Sequence, residues 1–436
     1  MGKSKDHKMK RIEPIKKPLH GDINVPGDKS IAHRAVMFGA VAKGRTRIFN
    51  LSGGDDNSRT VRALRQMGVA IGLDGDALSI EGEGWQGLHA PVEAVDCGNS
   101  GTTIRLMSGL LSGRPFHSEL DGDGSLRQRP MQRVIDPLRQ MGAKIISKSG
   151  NGLAPLEIDG GGLNGIHYSM PIASAQVKSA ILLAALQANG TTTVVEPQPS
   201  RDHTEVMIRG FGGALSISGR AITIDGGQNL VAQEVRIPGD ISSAAFFLVA
   251  AALVPGSELT IRNVGCNPTR DGVIEILRRM GAPIETFNER VAAGERVADF
   301  RVRGGKLHGV EIGPEWVART IDEYPILAIA AAAAEGMTVF SDVKELRYKE
   351  SDRIAAMTEG LRALGVQVDE RDDGMTIHGK ERFNGGAVRS FADHRVAMSF
   401  AVAGLLSAEG VAIDDARCAD ISFPTFFELL EKICLH

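Results

Sequence analysis

Cations, hydroxyl groups and small residues gather at a few short junctions of this chain. PGDKSIAHR supplies Lys29, Ser30 and Arg34. GNSGTTIR brings Asn99, Ser100, Gly101, Thr102 and Arg105, and GDGSLRQRPM behind it adds Arg127 and Arg129. ASAQVKS carries Ser174, Ala175, Gln176 and Lys178, with Arg201, Asp202 and His203 following in SRDHTE. Further on come Asp322 and Glu323, then Lys349, Glu350, Asp352 and Arg353 in YKESDR, and Asp393, His394 and Arg395 in ADHR. The first turn of a helix offers unsatisfied backbone N–H groups to an anion, and Gly, Ser and Thr let it come close. Arginine grips phosphate or carboxylate with two parallel hydrogen bonds, while lysine adds a point charge that can also move protons. One such junction reads as ordinary capping. Five decorated junctions out of six read as a cleft lined by cations, holding more than one anionic group.

Asp322 and Glu350 stand among these cations, which favours their ionised forms. Either can serve as a general base, or simply bridge to Arg353 or Arg395; for Asp352 bridging is the preferred reading. His203 and His394 have the same ambiguity, and no spacing to a second ligand suggests a metal. Cys97 lacks a His partner by spacing and reads as a small buried residue rather than a nucleophile.

The elements that position these residues recur. Units begin near residues 26, 98, 171, 238, 321 and 393, each a loop, a small-residue helix ending at Gly, a strand, a second helix and further strands. A period of about 70 residues suits a supersecondary unit that needs neighbours to bury its face. The first helices, such as ISSAAFFLVAAALVPG, are apolar nearly all round and belong inside; the strands alternate and keep one wet face. Helices inside and sheets outside reverse the doubly wound arrangement. Six units divide into two domains of three, 28–238 and 1–27 with 239–436. The chain crosses between them at two Pro-Gly-Asp segments, NVPGDKSIAHR and RIPGDISSAAF. The second copy lacks the cations of the first, so its Ser242 and Ser243 are expected to matter for stability rather than for chemistry.

The totals narrow the class. With 50 basic and 53 acidic residues and a net charge of −3, nucleic acid is not expected as a partner. Four cysteines without paired spacing fit a reducing cytoplasm. No apolar run has membrane-spanning length, and the Lys-rich start lacks the apolar stretch of a signal peptide.

PGDKSIAHR, GNSGTTIR, RPM, SAQVKSA, SRDHTE, DEYPILA, YKESDR and ADHRVAM, in this order, resemble the 5-enolpyruvylshikimate-3-phosphate synthase family from about residue 12 onward. The variants RPM and SAQVKSA resemble its bacterial branch, which includes glyphosate-tolerant members. The resemblance implies a two-domain inside-out α/β barrel, each domain three βαβαββ units. It implies transfer of the carboxyvinyl group of phosphoenolpyruvate to the 5-hydroxyl of shikimate 3-phosphate, in aromatic amino acid biosynthesis, by a monomer without metal or organic cofactor. Carried over by motif, Lys29, Gly101, Arg129, Gln176, Arg353 and Arg395 would hold phosphoenolpyruvate. Ser30, Arg34, Ser174, Ala175, Gln176, Arg201, Asp322 and Lys349 would hold shikimate 3-phosphate. Asp322, Glu350 and Lys29 would be catalytic. A Lys that some members carry before the C-terminal Phe-Pro is missing at Ile421 and Ser422, and Leu106 stands where many have Pro. The first ten or so residues exceed the family's usual start and are expected to form a disordered tail. Two rivals remain. A UDP-N-acetylglucosamine enolpyruvyl transferase would have Lys-Asn in place of Lys29-Ser30 and a Cys on the loop around Arg127; an anion-binding protein without catalysis would not need Asp322 and Glu350.

Overall fold

The computed structural model describes residues 9–435. Most of the expected tail lies outside the described residues, but Lys10–Ile12 is already a strand, paired antiparallel with Val411–Ile413. The chain forms two compact units. One comprises Gly27–Pro238 with Val291–Glu295; the other comprises the chain up to Pro26, Gly239–Arg290 and the chain from Arg296 onward. Residues 291–295, which the sequence reading kept with 239–436, are the tip of a strand pair, Ile284–Ala292 and Glu295–Arg303. They group with 27–238, where Glu295 Oε1 lies 2.7 Å from Nδ1 of buried His203.

The first of these units contains α1 (Lys29–Val41), α2 (Asp55–Gln66), α3 (Gly101–Ser112), α4 (Gln132–Gln140), α5 (Ala175–Ala185) and α6 (His203–Gly210). Every residue of α1 from Ile31 to Val41 is buried, and α3 buries all but Thr102. Small side chains make this possible. A Cβ on Gly109 of α3 would stand 2.1 Å from the Ala180 carbonyl oxygen of α5, so only glycine permits that approach. The second helix of each repeat instead buries one face; α4 covers Val134, Ile135, Pro137 and Leu138 and leaves its arginines out. Asp28, Ser100 and Ser174 cap α1, α3 and α5, accepting from the N–H three residues on at 2.9, 3.1 and 3.4 Å.

The other unit repeats the plan with α7 (Ile241–Leu253), α8 (Gly272–Arg279), α9 (Val317–Thr320), α10 (Tyr324–Ala333), α11 (Arg353–Ala363), α12 (His394–Leu405) and α13 (Phe426–Leu435). Here α7, α10 and α12 are the helices buried nearly all round. Each unit has its own apolar core.

Among the described residues the strands form six sheets of three to five strands. Thr191–Val195 buries Thr192 and Val194 and turns the alternate residues outward, as a sheet with one wet face requires. In the plain repeat a short leading strand, such as Val95–Asp96, runs parallel to the strand after the first helix, His117–Asp121, which pairs antiparallel with Leu156–Asp159. At the two crossings the leading strand stays in the unit that the chain is leaving. His20–Asn24, before α1, runs parallel to Glu258–Gly265, and Glu234–Arg236, before α7, runs parallel to Ala42–Phe49. The mixed α/β class, with buried helices and outer sheets, is the one expected.

Candidate active site

In the Gly27–Pro238 unit the predicted residues stand at the starts of α1, α3 and α5. Lys29 opens α1, its Nζ 2.9 Å from Asp56 Oδ2 on α2. Arg34, one turn on, is buried; its Nε donates to Thr204 Oγ1 at 2.7 Å, Nη1 to the Ser30 carbonyl at 2.9 Å and Nη2 to Ser179 Oγ at 2.6 Å. Burial lowers the Arg34 pKa to about 10, against the pull of Glu205 and Asp28, and Arg201 pushes in the same direction as burial. Arg34 and Arg201 therefore act on one region.

Gly101 forms the first residue of α3 among guanidinium groups: a Cβ there would lie 2.9 Å from Arg105 Nη1 and 3.3 Å from Arg129 Nη1. Arg129 donates to the Asn99 carbonyl and, at 3.2 Å, to Ser125 Oγ. Gln176, on the first turn of α5, accepts from Arg105 Nη1 at 2.7 Å and donates to Thr102 Oγ1 at 2.9 Å. Arg105 thus aims Gln176, a role the sequence reading did not give it. Ser174 caps α5 and Ala175 follows it. Lys178, grouped with the junction cations, is instead inside: its Nζ meets Glu196 at 3.0 Å and Glu205 at 2.7 Å, at 1% exposure.

The second cluster, in the other unit, centres on Arg353 at the start of α11. Its Nε donates to Asp393 Oδ2 at 2.9 Å and its Nη2 to Glu350 Oε2 at 2.7 Å. Among the described residues Nη1 has no hydrogen-bond partner, and it lies 3.6 Å from Asp322 Oδ1. Burial works against this charge, but Asp393, Glu350 and Asp322 together hold the Arg353 guanidinium above its ordinary pKa. Asp322 is ringed by cations, with Lys349 Nζ and Arg395 Nη2 each at 4.0 Å. Arg395 Nη1 also donates to the Asp322 carbonyl at 2.9 Å. Burial pushes the Lys349 ammonium below its usual pKa, opposed by Asp322. Asp352 does bridge, but to Arg347 at 2.7 Å rather than to Arg353 or Arg395, and it also caps α11 through Ala355 N at 3.0 Å. Cys97 is fully buried, and its thiol is pushed up by that burial, which removes it as a nucleophile.

Each unit thus gathers helix starts and cations suited to oxyanions, and one also sets Asp322 and Glu350 against the Arg353 guanidinium; the class this fits is an α/β transferase of small anionic molecules. The chain belongs to the EPSP synthase (3-phosphoshikimate 1-carboxyvinyltransferase) family, whose model matches residues 14–430. It is 54% identical over 414 residues to the 3-phosphoshikimate 1-carboxyvinyltransferase of Pelobacter propionicus, covering 95% of this chain and 96% of that one. Identity to the enzyme of the same name from Geobacter metallireducens is 52%, covering 96% and 97%. The solved EPSP synthase of Acinetobacter baumannii superposes with a TM-score of 0.87 at 47% identity, covering 97% of both chains.

Proposed function

We infer that this chain transfers the carboxyvinyl group of phosphoenolpyruvate to the 5-hydroxyl of shikimate 3-phosphate, releasing inorganic phosphate. Family membership supports the reaction, and one observation ties it to chemistry: the buried Arg353 Nη1, without a hydrogen-bond partner among the described residues, facing the Asp322 carboxylate at 3.6 Å. That is a donor held ready beside a base. In this reading Asp322 takes the proton of the attacking hydroxyl as its oxygen bonds to C2 of phosphoenolpyruvate, and Glu350 delivers a proton to the C3 methylene. Loss of a C3 proton back to Glu350 then re-forms the double bond as the C2–O bond to phosphate breaks, the phosphate leaving with the electron pair. Lys29, Arg129, Arg353 and Arg395 hold the anionic oxygens throughout; Gly101 is a further phosphoenolpyruvate ligand, and Gln176 contacts both substrates. Ser30, Arg34, Ser174, Ala175, Arg201 and Lys349 hold shikimate 3-phosphate. The two domains divide at the Pro-Gly-Asp crossings. The protein acts in the cytoplasm as a monomer, on small molecules rather than on nucleic acid or membrane.

The proton at C3 gives the direct test. In deuterated water with both substrates, unreacted phosphoenolpyruvate should gain deuterium at its methylene, only when shikimate 3-phosphate is present, and Glu350→Gln should abolish the gain. Exchange without the acceptor, or unchanged in that variant, would remove Glu350 from the mechanism.

A further inference from the structure

The second Pro-Gly-Asp segment, bare of cations in sequence, is not bare in the fold. Arg270, from NPTRDG ahead of α8, reaches its helix start and is 2% exposed. Its Nη2 donates to Ser242 Oγ at 2.7 Å and lies 3.4 Å from Asp240 Oδ1. The Ser242 hydroxyl passes the contact on, donating to Glu323 Oε1. Glu323 is 1% exposed, and the same oxygen stands 3.7 Å from Arg270 Nη2 and 3.7 Å from Arg395 Nη1. Arg395 Nη1 is the group that donates to the Asp322 carbonyl. A line of contacts therefore runs from the fourth junction through Glu323 to the two residues given the anion and the proton.

We propose that Arg270, Ser242 and Glu323 are positioning residues that set Arg395 and Asp322 for the reaction without touching either substrate. The proposal rests on the reading of Arg395 as a phosphoenolpyruvate ligand and Asp322 as the base. A buried carboxylate shared between two guanidinium groups binds each less tightly than it would bind one alone. Take the charge from Arg270, and Glu323 keeps its own with Arg395 as the guanidinium left within reach, because an unpaired buried charge is costly. Arg395 is then drawn from the Asp322 carbonyl toward Glu323 and away from an incoming anion. Glu323 also precedes α10 directly and follows Asp322, so a shift of its side chain moves the backbone that carries the base. Two charges and a hydroxyl buried at a helix start stabilise a fold no better than apolar side chains of the same volume would.

The test is steady-state kinetics of the full-length protein with both substrates varied. Arg270→Gln should raise KM for phosphoenolpyruvate about tenfold, equivalent to about 1.4 kcal/mol, with KM for shikimate 3-phosphate within threefold. Arg270→Lys, which keeps the charge, should stay within threefold of the parent for both, and carries the test with Glu323→Gln if Arg270→Gln does not fold. The double variant Arg270→Gln/Glu323→Gln removes both charges and should recover most of the loss, whereas independent residues would multiply their effects. A merely structural network would lower the melting temperature of the single variants and leave the phosphoenolpyruvate KM in place. That outcome, or multiplicative losses in the double variant, would overturn the proposal. Arg395→Ala is the control: if it too leaves the phosphoenolpyruvate KM unchanged, the assignment of Arg395 fails, and not the network behind it.

Discussion

Arg353 is one residue asked to do two things. It neutralises Asp393 and Glu350 through two arms of its fork and turns the third toward Asp322. A lysine keeps the charge but loses the planar fork and cannot meet three directions at once. Arg353→Lys should therefore lower kcat/KM for phosphoenolpyruvate by about 100-fold or more, on the order of 3 kcal/mol of transition-state stabilisation; a change under threefold would show that the fork does not hold the anion. Gly101 works by absence. A methyl there meets the guanidinium ends of Arg105 and Arg129 at 2.9 and 3.3 Å, so the cost falls on where those groups point and not on the fold. Gly101→Ala should raise KM for phosphoenolpyruvate about tenfold with the melting temperature unmoved. A fall in melting temperature with unchanged KM would instead make Gly101 a packing residue.

Helix starts are where residues become elements, and hydroxyl groups stitch the first turns of α1 and α3 to the middle of α2. His33 Nδ1 lies 2.7 Å from Thr60 Oγ1, Thr60 meets Thr103 at 2.8 Å, and Thr103 donates to Ser100 Oγ at 2.8 Å beside Gly101. Full burial lowers the His33 pKa to about 3, with Asp56 and Asp28 opposing and Lys29 and Arg34 adding to the fall. The unfolded chain takes up this proton near the ordinary value of 6.5, so stability is lost as pH falls through that value and stops changing near the folded one. Between pH 7 and pH 5 the share of this one histidine is about 2 kcal/mol. Urea unfolding at both pH values should show a difference of that size between the parent and His33→Gln; equal slopes would mean that His33 charges in place. The small-residue helices that carry these starts were legible in the sequence because a segment apolar on every side has nowhere to go but inward. The decorated junctions were legible for the same reason, since cations beside buried helices need a purpose. Three things were not. Lys178 looks like its neighbours in ASAQVKS, and only the return of Glu196 and Glu205 in space makes it an interior ion pair. Arg270 sits in NPTRDG, a sequence that any turn might have. Arg105 was visible, but its hold on Gln176 depends on the approach of α3 to α5.

At the scale of the molecule, the repeat was visible as a period, but the exchange of leading strands at the two crossings was not. His20–Asn24 and Glu258–Gly265 pair across more than two hundred residues, and nothing local encodes a partner so far away. Of the proposed shikimate 3-phosphate ligands, Ser30, Arg34, Ser174 and Arg201 belong to one unit and Asp322 and Lys349 to the other. Hydrogen exchange should therefore slow in both units when that substrate is added alone, by an amount set by its concentration over Kd, about 2.7 kcal/mol at a hundredfold excess. Protection confined to one unit would mean that the other acts only on phosphoenolpyruvate. The most direct measurement is phosphate release from phosphoenolpyruvate with shikimate 3-phosphate or UDP-N-acetylglucosamine as the acceptor, for the parent and for Asp322→Asn. Release with shikimate 3-phosphate alone, reduced at least 100-fold in Asp322→Asn, is the predicted result. Release with the sugar nucleotide, or release that the variant leaves intact, would contradict the account.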